Sequence, residues 1–372
     1  MKHQSGQSLF QIAKRKFFSN KIGFISFSYI LLCVLLAIFA YAFIPDNSPN
    51  ANQMDISIHS QKPGFQVNVL KVPQQFKKEE TGFFKQLFFG FPSAFDFIPY
   101  EHIESNTTQL TVYPYQTDQT SDDVAQSFSY ADFPFAKNHQ ELLDNYTAKK
   151  TYWLGTDKYG RDLLSRIVLG LRISLSVGLI AVAISLIIGI SLGAIAGYFG
   201  GNVDAFIMWL INVTWSIPTL LMVIAISLAL GKGFWQVFIA VGLTMWVEVA
   251  RVVRGQVLSV KEQQYVTAAR VIGLNDARII IRHILPNILA PVIVISAANF
   301  AAAILVESGL SFLGIGAQPP MPSWGAMIKD HYSYIIIGKA YLAIIPGIAI
   351  MSLVMAFMLI GNALRDALDV RN

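Results

Sequence analysis

From Ile173 to Tyr198 the chain reads ISLSVGLIAVAISLIIGISLGAIAGY, without one acidic or basic residue. A helix needs about 20 mostly apolar residues to cross the hydrocarbon core of a bilayer, and this run is long enough. Ala181, Ser185, Gly189, Gly193 and Gly197 recur in it every fourth residue. That spacing puts five small residues on one slowly drifting ridge. Lipid tails give helices no hydrophobic reason to associate, so close backbone approach along such a ridge supplies the packing. Ala290, Ala297, Ala298, Ala301, Ala302 and Ala303 predict a similar small-residue contact in a second run, 287–306.

Four further runs meet the length requirement, at 23–44, 205–230, 234–250 and 341–361. The expected fold is therefore an all-α polytopic membrane protein with six transmembrane helices. Composition agrees, with 54% hydrophobic and only 14% charged residues in 372 and a mean hydropathy of +0.49, where soluble domains carry about a quarter charged. A net charge of +5 would suggest nucleic acid in a soluble protein. Here the basic residues cluster beside apolar runs, which is the pattern of membrane topology. The first run is too long for the core of a signal peptide, and Ala40-Tyr41-Ala42 makes a weak cleavage site, so it reads as a retained helix. Cys33 is the single cysteine and forms no internal disulfide.

Lys14, Arg15, Lys16 and Lys21 precede the first span without an acidic neighbour, which predicts a cytoplasmic N-terminus. Six spans return the C-terminus, with Arg365 and Arg371, to the same side. The connection after the fourth span carries Arg251, Arg254, Lys261, Arg270, Arg278 and Arg282 and falls inside as well. The organisation expected is 1–44 for the cytoplasmic N-terminus and first helix, 45–150 for an inserted extracytoplasmic domain, and 151–372 for the main membrane domain with a cytoplasmic loop at about 251–286. Phe65 to Leu70 and Leu110 to Tyr113 alternate as strands do, with Pro, Gly, Asn and Asp between such runs, so the inserted domain is expected to be β-rich. Phe83, Phe84, Leu87, Phe88 and Phe91 fall at helical spacing and suit either a helix on the membrane surface or the core of that domain. Asn106-Thr107-Thr108 and Asn145-Tyr146-Thr147 match glycosylation sequons, a pattern common by chance.

The segment Tyr265, Val266, Thr267, Ala268, Ala269, Arg270, Val271, Ile272, Gly273 reads as a short exposed helix that a glycine ends. Asn275 can cap a second short helix bearing Arg278 and Arg282, and Pro286 suits the start of the fifth span. Small residues on an exposed helix admit the close approach of a soluble partner. Ala268, Ala269, Gly273, Leu285 and Pro286 stand at the spacing of the EAA loop of binding-protein-dependent ABC permeases, with Thr267 in place of its glutamate and His283 in place of its isoleucine. Leu154 to Asp162, including Gly155, Thr156, Asp157, Gly160, Arg161 and Asp162, resembles the stretch before the second helix of C-type peptide and nickel permeases. Glu307 to Gly314, Gln318 to Gly325 and the tail Gly361 to Asp369 resemble later signatures of the same family, so the similarity runs across about 150–372.

The resemblance implies a type I ABC importer permease in the inner membrane of a bacterium. It implies a homologous second permease, two cytoplasmic ABC ATPase subunits, an extracytoplasmic solute-binding protein and surrounding lipid as partners. ATP and magnesium would sit on the ATPases, with no cofactor on this chain. The EAA-like segment would be the helix that couples to them, and the 155–162 signature would lie at the external mouth. The sequence contains no Gly-x-x-x-x-Gly-Lys-Ser/Thr motif, since Gly231-Lys232-Gly233 lacks both spacing and hydroxyl. It shows no His, Glu or Cys cluster at metal-ligand spacing in the spans. The substrate stays open among oligopeptides, dipeptides, nickel complexes and opines. An ion-coupled transporter would need ionisable or unwound midplane positions and repeated halves, and an intramembrane enzyme would need a nucleophile or metal site. Glu248, the one acid well inside a span, is expected to pair with Arg251 or Arg254 or to snorkel.

Overall fold

The computed structural model describes residues 9–74, 82–91, 93–106, 109–116, 125–134, 139–231 and 233–368. Thr107 and Thr108 of the first sequon, Lys232, Asp369 and Arg371 lie outside the described residues, as do the side chains of Phe83 and Phe84. Helix α1 (Leu9–Ser19) leads into α2 (Lys21–Ile38) and the single turn α3 (Ala40–Phe43). Two short helices, α4 (Phe83–Phe89) and α5 (His139–Tyr146), accompany a sheet. The rest is helical, with α6 (Leu163–Phe199), α7 (Gly201–Trp215), α8 (Thr219–Leu230) and α9 (Phe234–Val260), then α10 (Gln264–Val271) and α11 (Asp276–Ile279). Helices α12 (Leu289–Phe312), α13 (Trp324–His331) and α14 (Tyr341–Leu368) complete the chain.

Five helices are long and apolar enough to cross a membrane, namely α2, α6, α9, α14 and α12 together with the helical turns from Asp276 that feed it. The run 205–230 does not form the single straight span that hydropathy predicts. It breaks into α7 and α8, which meet at 91°. Pro218 is the cause, because its ring disfavours helical geometry at Ile217 and it has no N–H to continue the ladder. Neither half reaches 30 Å alone, and only as a pair do they pass the test for a sixth span. The fourth span is longer than predicted, since α9 continues to Val260. Arg251 and Arg254 therefore lie on helix and not in a connecting loop, and the connection proper begins at Lys261.

The small-residue ridge explains why α9 stays helical so far. Ala181, Ser185, Gly189, Gly193 and Gly197 are all buried on α6. A methyl group at Gly193 would meet the Val253 side chain at 2.9 Å, and one at Gly197 would meet Val257 at 2.8 Å. The α9 backbone thus sits where only hydrogen can face it. The alanines of the fifth span divide instead, with Ala301 and Ala303 buried but Ala298 exposed, so they do not act as one ridge.

Between α3 and α6 the chain builds one antiparallel sheet from β1 (Phe65–Pro73), β2 (Phe95–Ser105), β3 (Gln109–Pro114), β4 (Gln126–Ser129) and β5 (Thr147–Tyr152), in the order β4-β3-β2-β1-β5. Alternation along β1 gives it two apolar faces. Leu70 joins Leu110, Val112 and Phe133 under Leu142 and Tyr146 of α5. Val67 and Val69 join Tyr152 and Ile58 on the other face. The aromatic stretch splits, with Phe83 to Phe89 forming α4 and Phe95 to Tyr100 belonging to β2. Phe88 and Phe89 of α4 are exposed, and the Arg172 guanidinium on α6 donates to the Phe88, Ala37 and Ile38 carbonyls.

Candidate functional site

Two clusters of sequence-marked residues lie at opposite ends of α6. At its C-terminal end, α10 turns Val266 and Ala269, three residues apart, into an apolar core with Val253, Val257, Ile279, Ile284 and Ile288. Ala269 is thus buried, and its smallness lets α10 lie close to the bundle. Only part of the Ala268-Ala269 pair is exposed, contrary to the reading of a wholly exposed surface. Tyr265, Thr267, Ala268, Arg270, Gly273 and Pro286 face outward, and Leu285 is half-buried. Val271 and Ile272 beside them are 83% and 77% exposed, an apolar surface that none of the described residues covers.

Gly273 ends α10 with φ of 81°, and a methyl group there would meet nothing within 4 Å. Its requirement for glycine is conformational and not steric. The Asn275 side chain accepts from Arg278 N at 2.8 Å and starts α11. Two contacts tie the segment back to α6. Tyr198 Oη donates to Asp276 at 2.6 Å, and Lys261 Nζ donates to the Gly197 carbonyl at 2.9 Å.

At the N-terminal end of α6, Gly155, Thr156, Asp157, Gly160, Arg161 and Asp162 are all buried and form a polar knot. Asp157 accepts from Tyr159 N (2.8 Å) and Arg161 N (3.0 Å), pairs with Arg161 Nε at 2.6 Å and lies 3.7 Å from Arg166 Nε. Thr156 Oγ1 donates to the Ile58 carbonyl and accepts from Gln61 N at 2.9 Å, while Arg161 Nη1 donates to Asn52 Oδ1 at 3.1 Å. The segment after α2 and α3 is in this way sewn onto α6. Asp162 caps α6 through Ser165 N at 2.9 Å, and burial pushes its carboxyl above the usual range. Gly155 and Gly160 have φ of 81° and 75° and abut the Gln61 and Asp55 backbones, where a side chain would collide.

Helix α13 joins the same knot. Lys158 Nζ pairs with Asp330 at 3.1 Å, and Lys158 N donates to His331 Nε2 at 3.3 Å. His331 Nδ1 is 2.6 Å from the Met327 carbonyl, so Nδ1 holds the proton and Nε2 accepts. Burial lowers the pKa of this ring. Sequence reading named neither His331 nor Asn52, and no local signal could have, since their partners are 173 and 109 residues away.

Among the described residues Glu248 makes no pair with Arg251 or Arg254. Arg254 instead makes a two-pronged pair with Asp204 at 2.5 and 2.6 Å, and Arg251 stacks 3.5 Å over Trp215. Six residues along a helix bring Arg254 to a different face from Glu248, which is exposed. Asp204 was the missed partner. It is the only acid between 163 and 247, which was its signal.

The family model described as the binding-protein-dependent transport system inner membrane component matches residues 189–372. A second, the N-terminal TM domain of oligopeptide transport permease C, matches residues 8–63. The chain is 42% identical over 225 residues to the glutathione transport system permease protein GsiD of Pectobacterium atrosepticum, covering 60% of this chain and 74% of that one. It is 43% identical to the dipeptide transport system permease protein DppC of Alkalihalophilus pseudofirmus, covering 59% and 71%. Against the oligopeptide transport system permease protein OppC of Bacillus subtilis it is 38% identical, covering 59% and 72%. Among solved structures, an inward-facing MetNI methionine ABC transporter aligns with a TM-score of 0.46 and 16% identity, over 55% of this chain and 97% of that chain.

Proposed function

This chain belongs to the binding-protein-dependent transport system inner membrane components and is a multi-pass permease of an ABC importer, a transport component and not an enzyme, and we propose that it carries peptides or related small solutes. The observation that carries the reading is the divided surface of α10. Val266 and Ala269 lock it to the bundle, while Tyr265, Ala268, Val271 and Ile272 face outward as an apolar patch. An apolar patch of this kind on an otherwise polar connection marks a docking surface. The partner is a cytoplasmic ATPase subunit, one of two, which holds ATP and magnesium. A homologous second permease completes the pathway, with α7 and α8 counted as the sixth span. The relatives named for dipeptides, oligopeptides and glutathione support a peptide-class substrate.

When the ATPases close, they draw on α10, and the Tyr198–Asp276 and Lys261–Gly197 contacts pass the displacement to the end of α6. The basic residues of α1 and of the α10–α11 segment support a reading in which both termini and α10 lie in the cytoplasm. The sheet and the 155–162 knot then lie outside, where a solute-binding protein delivers its cargo.

Affinity purification in mild detergent tests the assembly. A second permease and P-loop ATPases should co-purify. A chain that came out alone and transported without ATP would overturn the reading. Orientation has its own test, in which a cysteine at Ser105 should react with an impermeant thiol reagent in intact cells. Labelling only after lysis would reverse the topology.

A further inference from the structure

On the sheet face turned towards Asp46 and Gln53, β5 and the start of β2 enclose a cavity of about 540 Å³. This volume lies in the range of small-molecule sites. Lys150 projects into it from β5. Its ammonium lies 3.4 Å from Gln53 Oε1, and 5.2 and 5.1 Å from the ring centres of Phe97 and Tyr152. Among the described residues no carboxylate forms an ion pair with it. Asp46, the acid on the cavity wall, already accepts from Ser48 N at 2.9 Å and Gln53 N at 3.2 Å. An ammonium has three donors, and one long contact leaves most of that capacity unused.

Two more features narrow the ligand. β5 is the outermost described strand, so among the described residues one row of its backbone N–H and C=O groups has no strand partner, and Ala148 to Thr151 line the cavity. Phe91, Phe95 and Trp153 supply apolar walls. A cation, a free strand edge and aromatic walls match an extended peptide better than a lone anion. The two family models stop at residue 63 and resume at 189, so the whole sheet lies outside both.

We propose that this cavity is a peptide-binding site, in which the free C-terminal carboxylate of a short peptide meets the Lys150 ammonium while its backbone runs along the edge of β5. The inference rests on the reading that the transported solutes are peptides. Occupancy would be felt at once by α6, because Asp46 N donates to Ser165 Oγ at 3.0 Å in the first turn of that helix.

The test is equilibrium binding of labelled Ala-Ala-Phe, as free acid and as C-terminal amide, to the full chain in phosphatidylcholine nanodiscs. The acid should bind at least about tenfold more tightly than the amide, as expected for a hydrogen bond between charged groups. Lys150→Met should bring the acid down to the level of the amide and leave the amide unchanged. Equal binding of acid and amide, or binding indifferent to Lys150→Met, would overturn the site. So would loss of acid binding in phosphatidylglycerol nanodiscs, which would assign Lys150 to a lipid headgroup. ATP-driven uptake of the same tripeptide by the assembled transporter separates the two readings. Uptake without Lys150-dependent binding removes the site and keeps peptide import. Lys150-dependent binding without uptake of any peptide keeps the site and removes peptide import.

Discussion

The two ends of α6 are held in opposite ways. At the N-terminal end every marked residue is buried, and Arg161 and Arg166 share the Asp157 carboxylate. Backbones from the segment after α3 come so close that only glycine fits at 155 and 160. At the C-terminal end most marked residues are exposed and Gly273 faces open space, with Val271 and Ile272 uncovered. Among the described residues one end is closed by its own contacts, and the other leaves an apolar surface open. Two signatures of one family can therefore be unlike in kind, an internal joint in one place and an exposed surface in the other.

The contrast is most easily broken at Asp157. Asp157→Asn leaves Arg161 and Arg166 buried without their counter-charge, and about 3–5 kcal/mol of stability should be lost. Thermal unfolding in detergent reads this directly, and a loss no larger than that of an exposed substitution would remove the distinction between the ends. At the other end Gly273→Ala should cost about 1 kcal/mol, because only the left-handed backbone resists the methyl group. A much larger loss in the same assay would mean that Gly273 is packed. Ala268→Arg should change stability by no more than about 0.5 kcal/mol, yet abolish ATP-driven uptake in proteoliposomes. Wild-type uptake by that variant would end the assignment of α10 as the dock.

The smallest effect is one of pH. Burial holds His331 below its ordinary value of about 6.5, so its contribution is complete above that pH and is lost as pH falls through the folded value. Protonating Nε2 also turns the acceptor of Lys158 N–H into a donor. The unfolding temperature should fall as the pH drops below about 6.5, more steeply in the wild type than in His331→Gln. Asp162, raised by burial, acts in the opposite sense, so the difference between the two proteins is the quantity to read. Parallel slopes would show that His331 plays no part in it.

Hydropathy made most of the bundle legible because length and apolarity are all that a lipid-facing helix requires. It could not see the break at Pro218, since a composition window averages over a single residue. Of the strands, Phe65 to Leu70 and Leu110 to Tyr113 announced themselves by alternation. β5 did not, because two adjacent lysines in TAKKTY disguise a strand whose Lys150 is drawn inward by aromatic rings. The glycines and charges of 155–162 were visible, but Asn52, Ile58 and His331 are joined to them only by folding. The pairing half of the expectation for Glu248 failed for a related reason, since proximity in sequence pointed to its own helix while the arginines found Asp204 and Trp215 on another.

Helix α6 runs through 37 residues from one joint to the other with no proline and no break, a length of about 55 Å. Such a rod cannot shorten, and it is pinned along its C-terminal half by the glycine ridge against α9. Rocked about Gly189 by about 10°, the N-terminal tip swings roughly 7 Å and the C-terminal tip roughly 3 Å in the opposite sense. The geometry is that of a lopsided seesaw, in which a small displacement of the short arm becomes a larger one at the far end of the long arm.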